Sequence, residues 1–355
     1  MLLRGLPTPG SDETLGSWLF RCSVNRHSKV YHRLHLGDRP SSWWADLDLK
    51  YADPDIDFIT AVNKLADAGY QTHAKALEAH FAIKDGELVE WNYRHFYCPE
   101  CLRKDVASGR LPMWQKRWCY EGASTCILHG RQLDTLRDSS RYSKAWDAFV
   151  QHCNSKVNGA IEIGTVFSRL RSTTISMVAK SISHDGHPQH GDLGDLFAKL
   201  YRIFLQAPYK GSHGGAARIH FHTGRHGRFT ESKSLESSFL MGPSTADSPS
   251  RFGSMILTGA LLGIISESRY MMLARAHEAV RFNYLFPRYL HQAAAFPYLD
   301  RVGYGVLYDF LGVIPRAKYP LLDRHLQLQE YRYKREGVFD GRTLGIHHEH
   351  DANRM

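Results

Sequence analysis

Residues 97–133 read YCPECLRKDVASGRLPMWQKRWCYEGASTCILHGRQL and hold two pairs of metal-capable side chains, Cys98 with Cys101 and Cys126 with His129. A Cys-x2-Cys pair followed by a Cys-x2-His pair lets two turns aim four donors at one tetrahedral ion. The stretch therefore reads as a structural Zn2+ site. Pro99 fixes one backbone dihedral inside the first turn, so less entropy is lost when the ion binds. Four protein donors close the coordination sphere, whereas a catalytic zinc keeps one position for water. Cys119 lies between the pairs and His95 just before them, and either is an alternative ligand.

Outward from this stretch, Trp114, Trp118 and Tyr120 are expected to cover the metal, because a small zinc module has little core of its own. Upstream, Leu15, Trp18, Leu19 and Cys22 fall at i, i+3, i+4 and i+7, one face of a helix with Ser11 or Asp12 as its N-cap. Together, two features carry a family resemblance. One is the run Cys98-Pro99-Glu100-Cys101-Leu102, a Trp at 114 or 118, then Cys126-Ile127-Leu128-His129-Gly130 and Leu133. The other is the opening Pro9-Gly10-Ser11-Asp12-Glu13-Thr14-Leu15-Gly16-Ser17-Trp18-Leu19-Phe20-Arg21. Both resemble the TniQ/TnsD family of transposon target-selection proteins, over about the first 135 residues.

That resemblance implies a non-enzymatic adaptor. Such a protein binds a targeting module, either an RNA-guided CRISPR effector ribonucleoprotein (Cascade-like) or a DNA site, and recruits an AAA+ transposition regulator (TnsC-like). In RNA-guided members it acts as a homodimer docked through its N-terminal helices. Some relatives carry a second pair of Cys-x2-Cys turns, and this chain has none. The alternative reading is a sequence-specific DNA-binding protein, either a TnsD-like attachment-site reader or a zinc-containing regulator.

Composition bounds these readings. The 355 residues are 43% hydrophobic, enough for two or three folded domains. A net charge of +9 favours phosphate-bearing partners without distinguishing DNA, RNA or an acidic protein. The zinc ligands leave Cys22, Cys119 and Cys153, free thiols that point to a reducing cytoplasm. The most apolar run, 255–265, is too short to span a bilayer and reads as a buried helix. With no P-loop, no Gly-x-Ser-x-Gly element and only scattered carboxylates, an enzyme is not expected.

The fold class expected is mainly α. A helix-turn-helix-like N-terminal bundle occupies 1–88, a zinc-finger module 89–136, a C-terminal helical domain 137–341, and a flexible tail 342–355. In the first, a second helix over 28–36 carries Lys29 and Arg33 outward, and two further helices fill 54–82. Residues 88–97 alternate as a strand entering the zinc turn. Leu193, Leu196, Phe197, Leu200, Ile203 and Phe204 form a stripe of period 3.6. The Gly-, His- and Arg-rich stretch 209–228 reads as a basic loop or short hairpin, with Lys210, Arg218, Arg225 and Arg228 as phosphate contacts. Residues 306–326 resemble a helix-turn-helix whose second helix starts at Arg316, with Arg316 and Lys318 at the groove.

Overall fold

The computed structural model describes residues 6–24, 63, 66, 74–82, 87–90, 93–137, 143–154, 165–182, 191–222, 231–280 and 285–346. Among them are thirteen α-helices and one two-stranded sheet, so the chain is mainly helical as expected. They divide into two compact units, one of residues 1–123 and 133–158, the other of 124–132 and 159–355.

In the first unit, α1 (Leu15–Val24) buries Leu15, Trp18, Leu19 and Cys22, the face that the periodicity marked. Thr14, rather than Ser11 or Asp12, caps it, since its hydroxyl accepts from the Ser17 amide at 3.3 Å. Residues 12–14 are instead drawn into extended pairing: Glu13 bridges Gln115, and the Thr14 amide donates to the Trp114 carbonyl at 2.9 Å. Helix α2 (Ala74–Phe81) stacks Phe81 on Trp18, with ring centroids 5.3 Å apart. Lys116 donates to the carbonyls of His80 and Ala82, closing the end of α2. The expected helix over 28–36, and most of 54–82, lie outside the described residues.

Only part of 88–97 is strand. Leu88 forms a single bridge to Tyr120, and β1 (Phe96–Tyr97) pairs antiparallel with β2 (Asp134–Thr135). Between the strands run α3 (Pro99–Ala107) and a short 3-10 turn, Lys116–Trp118; α4 (Lys144–Asn154) follows β2. Trp114 and Trp118 meet edge to face at 5.4 Å, and Trp114 also lies beside Tyr97.

The second unit contains α5 (Thr165–Ile182), α6 (Gly191–Phe204), α7 (Ala216–His220), α8 (Leu235–Thr245), α9 (Ser248–Leu261), α10 (Glu267–Val280), α11 (Leu290–Ala293), α12 (Arg301–Leu311) and α13 (Pro320–Arg335). Every residue of α9 is buried. A helix with no exposed residue is an interior element, its polar side chains bonded inside as Ser254 is to the Tyr201 carbonyl at 2.8 Å, and α9 is the one that the run 255–265 foretold. Asp247 caps it, accepting from the Ser250 amide at 2.9 Å. The α6 stripe packs into the same core through Leu196, Phe197, Leu200, Ile203 and Phe204. Residues 342–346, expected in a flexible tail, are packed: Leu344 is buried and the Ile314 amide donates to the Gly345 carbonyl at 2.9 Å. The histidines at 347–350 lie outside the described residues.

Candidate metal centre

The first ligand pair straddles a helix start. Strand β1 delivers Cys98 as the N-cap of α3, Pro99 opens that helix where a missing N–H costs nothing, and Cys101 sits one turn in. Two residues three apart on a first turn face the same way, so the Cys-x2-Cys spacing converges the sulfurs. The partial positive charge of a helix N-terminus favours the negative charge that a ligating thiolate carries.

The second pair lies on a hairpin-like turn closed by a bridge between Thr125 and Gln132. Inside it, the Cys126 amide donates to the Arg131 carbonyl at 2.8 Å and the Gly130 amide to the Cys126 carbonyl at 2.7 Å. Gly130 has φ +61°, and a Cβ there would stand 3.1 Å from the Ser168 carbonyl oxygen, so a side chain is disfavoured twice. Arg171 donates to the Gly130 carbonyl and Ser248 to the Ser124 carbonyl, each at 2.7 Å, which fixes where the turn sits.

The four nominated ligands come together. One donor atom each from Cys98, Cys101, Cys126 and His129 lies within 4.8 Å of all the others, and the three cysteines are buried. His129 Nδ1 is 3.4 Å from Cys126 Sγ. Sulfur atoms held at about 2.3 Å around a tetrahedral ion stand about 3.8 Å apart, so this set fits a metal after a small contraction. Three thiols with one imidazole form a soft donor set that could hold a metal ion. Neither Cys119 nor His95 belongs to the cluster, and the Cys119 thiol is instead directed to the Gln115 carbonyl.

The opening motif forms a second polar centre, whose role was not read from the sequence. Glu13 is 1% exposed. Its carboxylate accepts from Arg21 Nη2 at 2.6 Å, Arg21 Nε at 2.8 Å, Ser17 Oγ at 2.9 Å and the Gly10 amide at 2.9 Å. Arg21 also donates to the Thr8 carbonyl and Trp18 to the Pro7 carbonyl, each at 2.8 Å. Ser17 Oγ in turn accepts from the Trp114 amide at 3.0 Å. The signal was present in the four-residue steps Glu13, Ser17, Arg21, one polar stripe beside the apolar one.

The comparisons with known proteins bear on both centres. The TniQ family model matches residues 5–133, from the opening segment through the last metal ligand. Residues 5–133 are a TniQ domain. This supports membership of the TniQ/TnsD family and implies a role in transposon target selection. No curated protein and no solved structure matches the chain.

The residues nominated for partner contact fare differently. Lys29, Arg33, Arg225 and Arg228 lie outside the described residues. Lys210 is exposed on a turn and pairs with Asp300 at 3.3 Å. Arg218 is not on a surface loop: it is 6% exposed, in helix α7, and donates to the carbonyls of Leu205 and Gly242 at 2.7 Å each. It thereby supplies a donor to the Leu205 carbonyl just past α6 and a second one to the Gly242 carbonyl in the last turn of α8, which also accepts from the Ala246 amide at 3.1 Å. Burial lowers its pKa to about 10, with Arg251 adding to that and Asp247 opposing it, so it stays charged at neutral pH.

Arg316 is likewise structural, bound to Asp323, to Glu330 at 3.0 Å and to the Leu344 carbonyl at 3.1 Å. The second helix of that pair does not start at Arg316. Pro320 occupies its first position and disfavours helical geometry at Tyr319 (φ −127°, ψ 77°), so 316–318 form a separate 3-10 turn. Residues 312–319 thus separate α12 from α13, longer than the roughly three to four residues of a helix-turn-helix connection. Lys318 is exposed. No helix among the described residues is long and apolar enough to cross a membrane.

Proposed function

We propose that the chain is a non-catalytic adaptor in target selection by a cut-and-paste transposon. It binds an RNA-guided CRISPR effector complex and recruits an AAA+ transposition regulator, as a homodimer in the cytoplasm. The observation that carries this reading is the TniQ match over 5–133, which takes in both the Glu13–Arg21 centre and the metal cluster. The ion is Zn2+ in a structural role, a reading supported by three cysteines and a histidine that offer the four donors of a closed tetrahedral sphere. When bound, zinc holds these ligands in one geometry and contributes folding energy to the turns that carry them.

Autonomous DNA reading is the weaker alternative. Two of the cations it needed, Arg218 and Arg316, are engaged by carbonyls and carboxylates within the fold. The test is size exclusion with multi-angle scattering on the zinc-loaded chain, alone and with guide-loaded effector. Co-elution of two copies per effector is expected. A chain that ignores the effector but shifts a specific duplex at physiological salt overturns the docking reading.

A further inference from the structure

Helix α13 presents two faces. Leu322, His325, Leu326, Gln329, Glu330 and Tyr333 are buried, and among the exposed residues, which also include Gln327, are Leu321, Arg324, Leu328, Tyr331 and Arg335. These five positions advance by three, four, three and four residues, the a and d spacing by which one helix packs along another. Their apolar members are well exposed: Leu321 at 36%, Leu328 at 44% and Tyr331 at 68%. Lys334 flanks the stripe and is also exposed. The acids of the helix are turned elsewhere, Asp323 and Glu330 to Arg316, and Glu336 to Arg332.

We propose that this outward face of α13 is a docking seam for an acidic amphipathic helix of a protein partner. The heptad spacing asks for a helix, because knobs at a and d positions fill holes only on a helix of matching repeat. The charge asks for an acidic one, since Arg324, Lys334 and Arg335 need carboxylates opposite while Leu321, Leu328 and Tyr331 are desolvated between them. A second copy of this chain is a poor occupant: it carries the same cations and a net charge of +9. Nucleic acid would satisfy the cations but leave both leucines against phosphate. The seam is separate from the metal centre, and this inference does not rest on the proposed effector docking.

The test uses the full zinc-loaded chain. Its probe is a peptide of about four heptads with Leu at a and d and Glu at e and g, set against the same peptide with Lys for Glu. Fluorescence anisotropy is expected to show binding of the acidic peptide only. Leu328→Glu or Tyr331→Ala should weaken it at least about tenfold. The double substitution Arg324→Glu, Arg335→Glu should invert the preference between the two peptides. Because these side chains are exposed, the melting temperature should not move in any variant.

The proposal is overturned if neither peptide binds, or if binding is indifferent to these substitutions. It is also overturned if the parent is a dimer that Leu328→Glu splits, which assigns the face to a second copy. A duplex bound through Arg324 and Arg335 while the acidic peptide is ignored assigns the face to nucleic acid instead.

Discussion

The TniQ domain and the helical region 165–346 are held by different physics. In the first, modest apolar groups such as Trp18 on Phe81 and Trp114 on Trp118 are joined by polar devices: four metal ligands, the buried Glu13–Arg21 pair, and Lys116 on the end of α2. In the second, one continuous apolar cluster surrounds a helix that is buried on every side. Apolar burial is distributed over many residues and degrades gradually when one is truncated. A metal set or a buried ion pair fails as a unit, because removing one member leaves the others buried without compensation. The two regions should therefore answer single substitutions differently.

The largest difference is expected on metal removal. Chelation, or Cys98→Ser, withdraws a binding free energy that in small zinc modules reaches ~10 kcal/mol. Amide exchange should rise sharply in β1, β2 and the turn at 125–132, while 248–261 in α9 keep their protection. Metal analysis should fall from one ion per chain to near none. If the exchange pattern of the stripped chain matches that of the parent, the cluster does not support the fold.

Next comes Glu13→Ala, which strands the Arg21 guanidinium in a buried site along with the Ser17 hydroxyl and the Gly10 amide. A loss of roughly 3–5 kcal/mol is expected from the denaturation midpoint. Replacing both partners, Glu13→Leu with Arg21→Met, should cost markedly less, because no charge is then left unpaired. Equal losses for the single and double variants would mean that packing, not charge pairing, governs this site.

Much of this contrast was legible from the residues alone, for reasons of range. The metal ligands were readable because paired donors three apart have few other uses. The inner face of α1 and the burial of α9 were readable because periodicity and apolar length are local properties. What stayed hidden depends on partners far along the chain. Nothing near Arg218 announces that the carbonyls of Leu205 and Gly242 will surround it. Glycine and histidine neighbours made its segment look like a solvated loop. Arg316 was misread for a similar reason, since Glu330 and Leu344 reach it only once α13 and residues 342–346 are packed. A positive charge on the page says nothing of whether it faces water or a carbonyl.

Arg218→Met tests that distinction inside the apolar region. The substitution keeps much of the side-chain volume and removes the donors that reach the carbonyls of Leu205 and Thr245, while the Gly242 carbonyl keeps the Ala246 amide. A loss of roughly 3 kcal/mol is expected, as for a few buried groups left unsatisfied. Affinity for duplex DNA should not change. Lys318→Glu, on an exposed turn, should leave the melting temperature where it is. Should Arg218→Met weaken DNA binding without destabilising the fold, the residue belongs to a surface after all.

A smaller loss than these is expected from pH, and it too divides the regions. His277 of α10 is buried between Phe167 and Phe286, with ring centroids at 5.7 and 5.6 Å. Burial lowers its pKa to about 4; Arg171 pushes the same way and Glu278 opposes. The folded chain therefore keeps the ring neutral where the unfolded chain, near 6.5, takes up a proton. Its contribution to stability is intact above pH 6.5 and is lost as pH falls towards 4. At pH 5 the loss is about 2 kcal/mol. Acid also protonates the metal ligands, so the reading must be differential. Comparing the parent with His277→Leu at pH 7.5 and pH 5 leaves the ligands identical in both, and the variant should show a shallower fall by that amount. Parallel pH profiles would mean that His277 carries none of the acid sensitivity.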